Sequence, residues 1–399
     1  MRTQFTVLDQ LLFEHQHFWR FEPFHESYAV NHRFSNTVLG DWLDGLSAQQ
    51  VQHFKQDVSS LNVQLSELLP QLNKLNTLCQ IDQHDVKSLD LDARLVSGIP
   101  GRKLSQISAM GAQALNTHSG NQWLEWCAGK GFLGRILAQQ SQQAVTSFEW
   151  QGPLCEHGQA EADKQELPVT FVQGDAFNCD HQKVFKPNQH AVALHACGDL
   201  HVSLMKHAID YRLPALSIAP CCYHLIQDNA YQPVSAVAQN AQIHLSKPEL
   251  RIPLQETVTG GERVLRHRFL EMSYRLGLDE LLTEELDFKE YQPIPSIKKS
   301  LLQEGFKAFC DWAANKKGFS LPDCDFAAYQ LKGEQRFQRM EKLSLIQMAF
   351  HRPLEMWLIF DKSLFLIENG YKVTVSEFCS KSVTPRNILI HAKREVGSF

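Results

Sequence analysis

Hydrophobic residues in the first 118 positions recur three and four residues apart, most clearly between Val38 and Leu78. This spacing places apolar side chains on one face of an α helix. The stretch has little clustering of the β-branched residues that strands favour. The pattern therefore predicts a helical N-terminal region over residues 1–118.

From residue 119 to residue 225, short apolar runs alternate with glycine turns and helical segments. The five runs are QWLEW at 122–126, AVTSFEW at 144–150, VTFVQGDAF at 169–177, AVALHACGDL at 191–200 and ALSIAPCCYH at 215–224. Such alternation is typical of a parallel sheet covered by helices. Residues 119–225 are therefore predicted to form a parallel α/β core.

The pattern of apolar positions changes again after residue 225. Residues 226–350 read as helices and proline-containing loops, which indicates a helical insertion or cap. Residues 351–399 supply a final helix and two strands that a short loop separates, so these strands can pair antiparallel without a crossover helix. The predicted sheet is thus parallel with one antiparallel C-terminal strand, completed by residues 351–399.

Length, composition and charge limit the classes to which this protein can belong. A chain of 399 residues that is 43% hydrophobic can bury a large core and exceeds the usual size of one domain. A net charge of −5 argues against a generally basic nucleic-acid coat. No apolar run is long enough to predict a membrane segment, and Asp9 and Glu14 interrupt any signal-peptide core. Ten scattered cysteines suggest reduced thiols, and we expect a cytoplasmic protein with no membrane partner.

One glycine turn carries candidate chemistry. In WLEWCAGKGFLGR at 123–135, glycines stand at 129, 131 and 134, between a predicted strand and a predicted helix. Lys130 is followed by Gly131 and Phe132, so the hydroxyl that a triphosphate loop requires is missing. The glycine spacing suits a dinucleotide, with Glu149 after the next strand for the ribose, but it suits S-adenosylmethionine equally.

Further motifs point to one of these ligands. The string from Glu125 to Gly131 resembles the acid-x-Gly-x-Gly-x-Gly motif of class I S-adenosylmethionine-dependent methyltransferases, with Cys127 at the first glycine position. ALHACGDL at 193–200, APCCYH at 219–224 and TPRNILIHAKR at 384–394 resemble a group that includes eukaryotic tRNA acceptor-stem ribose methyltransferases and methyltransferase-like proteins. The resemblance covers roughly residues 100–225 and 350–399. It implies a Rossmann-like, cofactor-binding core at residues 119–225, with S-adenosylmethionine as the cofactor. It also implies a reversed final strand and RNA as the favoured acceptor.

The resemblance also implies cofactor contacts. These are Glu125, Gly129 and Gly131 at the amino-acid end, Glu149 at the ribose, Asp175 and the Ala176 amide at the adenine, and His195 and Ala196 near the transferable methyl group. Local alternatives are an exposed strand-end charge for Glu149 and a turn-forming role for Asp175. Cys127 fits the motif only if its backbone has a negative φ or if the turn tolerates strain.

Four residues at the predicted ends of the fourth and fifth strands of this core are candidate bases: His195, Asp199, Tyr223 and His224. The carboxyl ends of neighbouring parallel strands border the ligand crevice. A ribose hydroxyl or a protonated amine benefits from a base there. Asp199 has the alternative role of a helix N-cap. HACGDL stands where amino-group methyltransferases carry Asp/Asn-Pro-Pro-Tyr, which argues against exocyclic amine chemistry.

The same strand ends carry a possible zinc set, comprising His195, Cys197, Cys221, Cys222 and His224. Adjacent cysteines cannot both point the same way without a bent backbone, and no Cys-x-x-Cys is present. We therefore predict no metal, and expect these cysteines to pack beneath the cofactor crevice.

Basic residues in three places are candidate phosphate contacts. They are Arg102 and Lys103; Arg251, Arg263, Arg266 and Arg268; and Lys381, Arg386, Lys393 and Arg394. Each alone is slightly better explained as a solvated charge. The motifs and the resemblance together predict an S-adenosylmethionine-dependent methyltransferase, for which the resemblance alone favours RNA as the acceptor. The alternatives are a methyltransferase acting on a small molecule or protein, and a non-catalytic binding protein that retains the cofactor fold. A nicotinamide dehydrogenase is a distant further possibility, and the oligomeric state is open.

Overall fold

The computed structural model describes residues 1–83, 89–178, 180–255 and 262–395, except for the side chains of Gln83, His181 and His195. The chain divides into two compact units. The first comprises Met1–Glu14, Leu75–Leu254 and Arg352–Phe399, and the second comprises His15–Lys74 and Gln255–His351. The boundaries predicted from the sequence, at residues 118, 225 and 350, stay a prediction.

Within these ranges the α helices are α1 Arg2–Glu14, α2 Pro23–Glu26, α3 Val38–Gly45, α4 Ala48–Gln56, α5 Val58–Leu68, α6 Gln71–Leu78, α7 Ala93–Val96, α8 Gly101–Asn116, α9 Phe132–Ser141, α10 Gly152–Lys164, α11 His181–Val184, α12 Asp199–Asp210, α13 Glu262–Leu286, α14 Phe306–Lys317, α15 Phe326–Met348 and α16 His351–Glu368. The strands are β1 Asp82–Gln83, β2 Gln122–Trp126, β3 Val145–Glu149, β4 Val169–Gln173, β5 Gln189–Cys197, β6 Ala215–Cys221, β7 Tyr371–Glu377 and β8 Ile388–Arg394.

The strands form one sheet in the first unit, in the order β1-β7-β8-β6-β5-β2-β3-β4. Strands β2 to β6 pair parallel, whereas β8 lies antiparallel between β6 and β7. This confirms the predicted α/β class, including the reversed C-terminal strand. The two-residue strand β1, which pairs parallel with β7, was not expected in the helical N-terminal region. A strand of two residues is too short to produce a recognisable alternation.

The central strands are continuous apolar runs in the sequence because they are buried on both faces of the sheet. Every residue of β3 and β6 is buried, because helices cover both faces of the sheet. Helix α9 starts after Gly131 and buries Leu133, Ile136 and Leu137 in the same core. This packing fixes the end of β2 and the start of α9 on either side of the glycine turn.

A buried polar chain crosses the sheet. His190 of β5 and His391 of β8 both hydrogen-bond the hydroxyl of Ser217 on β6, at 3.0 and 3.1 Å. Burial lowers the pKa of His190 well below its ordinary value, and lowers that of His391 to about 4. Shifting β8 by one residue would separate His391 from Ser217, so the chain of hydrogen bonds favours the observed register.

The second unit is helical in its described residues. Helices α13 and α15 approach closely at glycines, since a Cβ at Gly333 would lie 2.2 Å from the carbonyl oxygen of Ser273. Buried aromatic residues of α14, Phe306 and Phe309, pack in the same core as Tyr274 of α13. None of the helices in the described ranges is both long and apolar enough to cross a membrane.

The buried carboxylate of Asp9 anchors α1 within the first unit. It accepts hydrogen bonds from the Gln242 and Ile243 amides and from the Trp357 indole, at 2.8, 3.3 and 3.0 Å. Asp9→Ala would leave three donors without their acceptor, and the Ile243 amide and the Trp357 indole are buried. We therefore expect the free energy of unfolding to fall by about 3 kcal/mol. Urea denaturation measures this change.

The matched control is Glu14→Ala, which removes an exposed carboxylate from the same helix. This variant should change the free energy of unfolding by less than about 0.5 kcal/mol. Equal effects of the two substitutions would contradict the anchoring role of Asp9.

Candidate functional site

The glycine turn between β2 and α9 has a left-handed backbone at three positions. The φ angles are 56° at Cys127, 58° at Gly129 and 67° at Gly131. The sequence left two alternatives for Cys127, and the structure shows the strained one, with positive φ. Burial raises the pKa of the Cys127 thiol to about 12, so this residue is a neutral thiol and not a nucleophile.

The three glycines of the motif serve different purposes. A Cβ at Gly131 would lie 2.5 Å from the Phe171 ring, and one at Gly134 would lie 2.4 Å from the Glu125 carboxylate. A Cβ at Gly129 would meet nothing within 4 Å. Gly131 and Gly134 are therefore required by packing, whereas Gly129 borders open space.

Glu125 lies beneath the turn and is only 4% exposed. Its carboxylate accepts a hydrogen bond from the Ser147 hydroxyl at 2.8 Å and further ones from the backbone amides of Gly134 and Leu133. Burial outweighs these bonds and raises the pKa of Glu125 to about 7. Glu125 thus links β2 and β3 to the first turn of α9.

Glu149 is the last residue of β3, and its side chain contacts the backbone of the glycine turn. Its two carboxylate oxygens accept hydrogen bonds from the amides of Gly129, at 2.9 Å, and of Gln151, at 3.0 Å. The side chain is 7% exposed, so it is not the exposed strand-end charge considered as an alternative. The structure brings Glu149 and Gly129 together, as the predicted cofactor site requires.

Asp175 and Ala176 follow β4. The Asp175 carboxylate accepts a hydrogen bond from the Phe177 amide at 2.9 Å, which is the turn-forming role considered above. The Ala176 carbonyl accepts a hydrogen bond from the Ser203 hydroxyl of α12 at 2.7 Å. These contacts hold the β4 loop against α12.

Two exposed aromatic residues at these strand ends were missed in the sequence. Trp150 directly follows Glu149 and is 64% exposed, and Phe177 follows Asp175 by two residues and is 49% exposed. Large aromatic rings are usually buried, so exposed rings beside a candidate site suggest surfaces for a planar ligand. The signal in the sequence was an aromatic residue close behind each acidic residue.

The four candidate bases differ in their surroundings. Asp199 is the first residue of α12, and the N-cap of this helix is Gly198. The Asp199 carboxylate accepts a hydrogen bond from the Gln227 amide at 2.8 Å. Tyr223 is buried, and its hydroxyl donates to the Glu355 carboxylate at 3.3 Å. Burial raises the pKa of Tyr223 well above its ordinary value. Tyr223 therefore belongs to the packed interior.

The other two candidates lie at the ends of β5 and β6. Burial, and then the charges of Arg251 and Arg386, lower the pKa of His224 below its usual value. Its buried Nδ1 has no hydrogen-bond partner among the residues that the structure describes. His195 lies in β5, but its side chain falls outside the described part of the chain. The neighbouring Ala196 is buried, and its carbonyl contacts the His201 ring at 3.0 Å.

Two of the basic segments meet in the first unit. The Arg102 guanidinium of α8 donates to the Val383 carbonyl at 2.8 Å, in the loop that leads to Arg386. The Lys103 ammonium lies 4.9 Å from the centre of the Phe132 ring, at the start of α9. We call Arg102, Lys103 and Arg386 the basic rim. In the second unit, by contrast, Arg268 forms two hydrogen bonds with Glu341.

Comparison with known proteins agrees with this geometry. Residues 102–229, which are 128 of the 399 residues, match a family model described as a methyltransferase domain. The matched segment runs from α8 to the loop after β6 and includes the glycine turn, Glu149 and all four candidate bases.

Solved methyltransferase structures resemble parts of the chain. The tRNA (uracil-54, C5)-methyltransferase of Pyrococcus abyssi, in complex with S-adenosyl-L-homocysteine, is 16% identical over 29% of this chain and 28% of its own, with a TM-score of 0.25. An rRNA methylase from Streptococcus thermophilus is 16% identical over 31% and 72%, with a TM-score of 0.24. An S-adenosylhomocysteine-bound methyltransferase of Podospora anserina is 14% identical over 37% and 69%, with a TM-score of 0.28. Such low scores support no inference about the substrate of this chain.

The buried carboxyl of Glu125 predicts a pH-dependent stability. Its pKa is about 7 in the folded protein and about 4.5 when unfolded. The folded state therefore holds the proton more tightly, and the resulting stabilisation is full below about pH 4.5 and is lost as the pH rises through about 7. Glu125→Gln cannot titrate. The stability advantage of the wild type over this variant should thus fall by roughly 3 kcal/mol across that window.

Urea denaturation at a series of pH values measures this difference. Glu156→Gln, at an exposed residue of α10, controls for the loss of one carboxylate. If the stability advantage of the wild type over Glu125→Gln stays constant or grows as the pH rises, Glu125 is not buried as described.

Proposed function

We propose that this protein is an S-adenosylmethionine-dependent methyltransferase whose methyl acceptor is RNA. The observation that carries the proposal is the Glu149 carboxylate hydrogen-bonded to the Gly129 amide, at the carboxyl end of the central strand β2. Parallel α/β sheets bind their ligands at this edge. The match of residues 102–229 to a model described as a methyltransferase domain supports a methyl donor as the ligand.

The residues around the turn fit the cofactor. Open space beside Gly129, where no atom lies within 4 Å of a built Cβ, suits the amino-acid end. Glu149 offers carboxylate oxygens to the two ribose hydroxyls, and the exposed rings of Trp150 and Phe177 offer surfaces for the adenine. Glu125 is buried and holds the turn from beneath, under the proposed position of the amino-acid end.

S-adenosylmethionine supplies, when bound, a methyl group activated by a positively charged sulfur. The protein must align the acceptor and, for a ribose hydroxyl, take up its proton. His224 is our choice of base, because it follows β6 at the carboxyl edge of the sheet and its buried Nδ1 has no hydrogen-bond partner among the described residues. Asp199 borders the same strand ends, whereas the phenol of Tyr223 is held by Glu355.

The basic rim supports RNA as the acceptor. Arg102 and Lys103 are exposed, and Arg102 contacts the loop that leads to Arg386. The charge of Arg386 contributes to lowering the pKa of His224, so Arg386 lies near the proposed base. Clustered cations at an active-site edge attract the phosphate backbone of a nucleic acid. The resemblance of HACGDL and CCYH to tRNA methyltransferases points to the same acceptor.

A small molecule is the second candidate acceptor. A cavity of about 580 Å³ in the first unit is lined by residues that include Phe177, Asp199 and Tyr231. Labelled methyl transfer from S-adenosylmethionine to cellular RNA, protein and small-molecule fractions separates the candidates. Label in RNA supports our proposal, and label confined to another fraction overturns the choice of acceptor.

Glu149→Gln should weaken cofactor binding. The substitution removes the negative charge that two ribose hydroxyls would meet, and hydrogen bonds to a charged group contribute about 1.5–3 kcal/mol. We therefore expect the dissociation constant for S-adenosylhomocysteine, measured by calorimetry, to rise at least tenfold. Glu156→Gln serves as the control and should leave it unchanged. Unchanged affinity in Glu149→Gln would refute the ribose assignment.

Reversing the charge of the basic rim should reduce methyl transfer to RNA and leave the affinity for the cofactor unchanged. In the double variant Arg102→Glu, Lys103→Glu, we expect methyl transfer to RNA to fall about tenfold or more, with a shallower salt dependence. The affinity for S-adenosylhomocysteine should stay within about twofold. Lys164→Glu reverses an exposed charge on α10 and is the matched control. If both variants reduce RNA methylation equally, the rim is not an RNA surface.

A further inference from the structure

Three thiols converge at the carboxyl ends of β5 and β6. The Sγ atoms of Cys197, Cys221 and Cys222 all lie within 4.8 Å of one another, and those of Cys197 and Cys221 are 3.6 Å apart. Cys221 is buried, while Cys197 and Cys222 are half-buried. The methyltransferase mechanism described above assigns no role to any of them.

Sheet geometry explains how two of these thiols meet. Cys197 and Cys221 are partners on neighbouring parallel strands, and the register shifts between Leu194 and Cys197. Partners in a parallel ladder carry their side chains on the same face. The irregularity re-aims the end of β5 relative to β6, as bulges commonly do beside functional sites.

The third thiol joins through an unusual backbone conformation. Consecutive strand residues point to opposite faces, so Cys222 would be expected to face away from Cys221. Its φ of 47° lies in the left-handed region, which breaks the alternation. Such a conformation costs on the order of 1 kcal/mol for a residue other than glycine. The bent backbone that the sequence analysis required for a shared site is therefore present.

We propose that Cys197, Cys221 and Cys222 form a binding site for a thiophilic metal ion, with Zn²⁺ as the ion best suited to it. A tetrahedral ion with zinc–sulfur bonds of about 2.3 Å holds its sulfur ligands about 3.8 Å apart. The Sγ atoms of Cys197 and Cys221 are 3.6 Å apart, and that of Cys222 lies no more than 4.8 Å from either. This assignment replaces the simple packing role expected from the sequence.

The ligand set determines which ions are suited. Soft thiolates select zinc or copper(I) over magnesium and calcium, which require oxygen ligands. The thiols bind as thiolates, and the protons that they lose pass to solvent. Three protein ligands leave the fourth position of a tetrahedral ion open to water, which is the pattern of zinc sites that take part in chemistry. Such a site would lie at the strand ends that carry the proposed base.

The test uses the untagged full-length protein, reduced and freed of metal. We expect it to bind one Zn²⁺ per chain in a titration against a competing chelator, and elemental analysis to find the same ratio. Co²⁺ in place of zinc should produce the near-ultraviolet absorption of a sulfur-to-metal charge transfer. Because the readout is the metal itself, the result is independent of cofactor binding and methyl transfer.

Cys197→Ser and Cys222→Ser should each lose stoichiometric Zn²⁺ and the Co²⁺ absorption. Cys379→Ser, at another half-buried thiol of the first unit, should retain both. Circular dichroism shows whether each variant is folded. If a variant does not fold, the Co²⁺ spectrum of the wild type still tests the proposal. Absence of metal binding in the wild type would overturn the proposal. So would equal binding by the wild type and both ligand variants, or a disulfide between these cysteines in the protein as isolated.

Discussion

The site depends on one buried carboxylate. Glu125 projects from β2 beneath the first turn of α9, where it accepts hydrogen bonds from Ser147 and from two backbone amides. Because the carboxylate occupies the space at Gly134, no side chain fits at that position. The helix must then begin close to the strand end, and the chain makes the connection through three left-handed residues. The shape of the turn thus follows from the position of Glu125.

Glu149 completes the arrangement from the neighbouring strand. Its hydrogen bond to Gly129 ties the middle of the turn to the end of β3. Glu125 and Glu149 therefore have separate tasks, since one supports the backbone from within the core and the other stands at the edge of the open space. Trp150 and Phe177 are exposed beside this edge. The carboxyl edge of the sheet thereby combines a rigid floor with polar and aromatic groups available to a ligand.

Features set by local pattern could be predicted from the sequence. The apolar runs of β3 and β6 indicated buried parallel strands, and the short loop around Pro385 indicated the antiparallel pair β7 and β8. The predicted proximity of Glu149 to the glycine turn follows from that topology. The predicted contacts with a cofactor remain predictions, because they depend on a ligand.

Features set by distant contacts could not be predicted. The chain of hydrogen bonds from His190 through Ser217 to His391 joins three strands that are far apart in sequence. The left-handed backbone of Cys222 reverses the expected direction of its side chain, so the adjacent cysteines appeared unable to share a site. Tyr223 looked accessible at a strand end, yet Glu355 of α16 holds it in the interior. Each of these outcomes depends on the tertiary structure and not on the local sequence.

The central claim is that the turn between β2 and α9 binds S-adenosylmethionine and not a dinucleotide. Isothermal titration calorimetry of the wild-type protein with S-adenosylhomocysteine and, separately, with NAD tests this claim most directly. We predict saturable binding of S-adenosylhomocysteine with one site per chain, and no measurable binding of NAD. Binding of NAD without binding of S-adenosylhomocysteine would contradict the account.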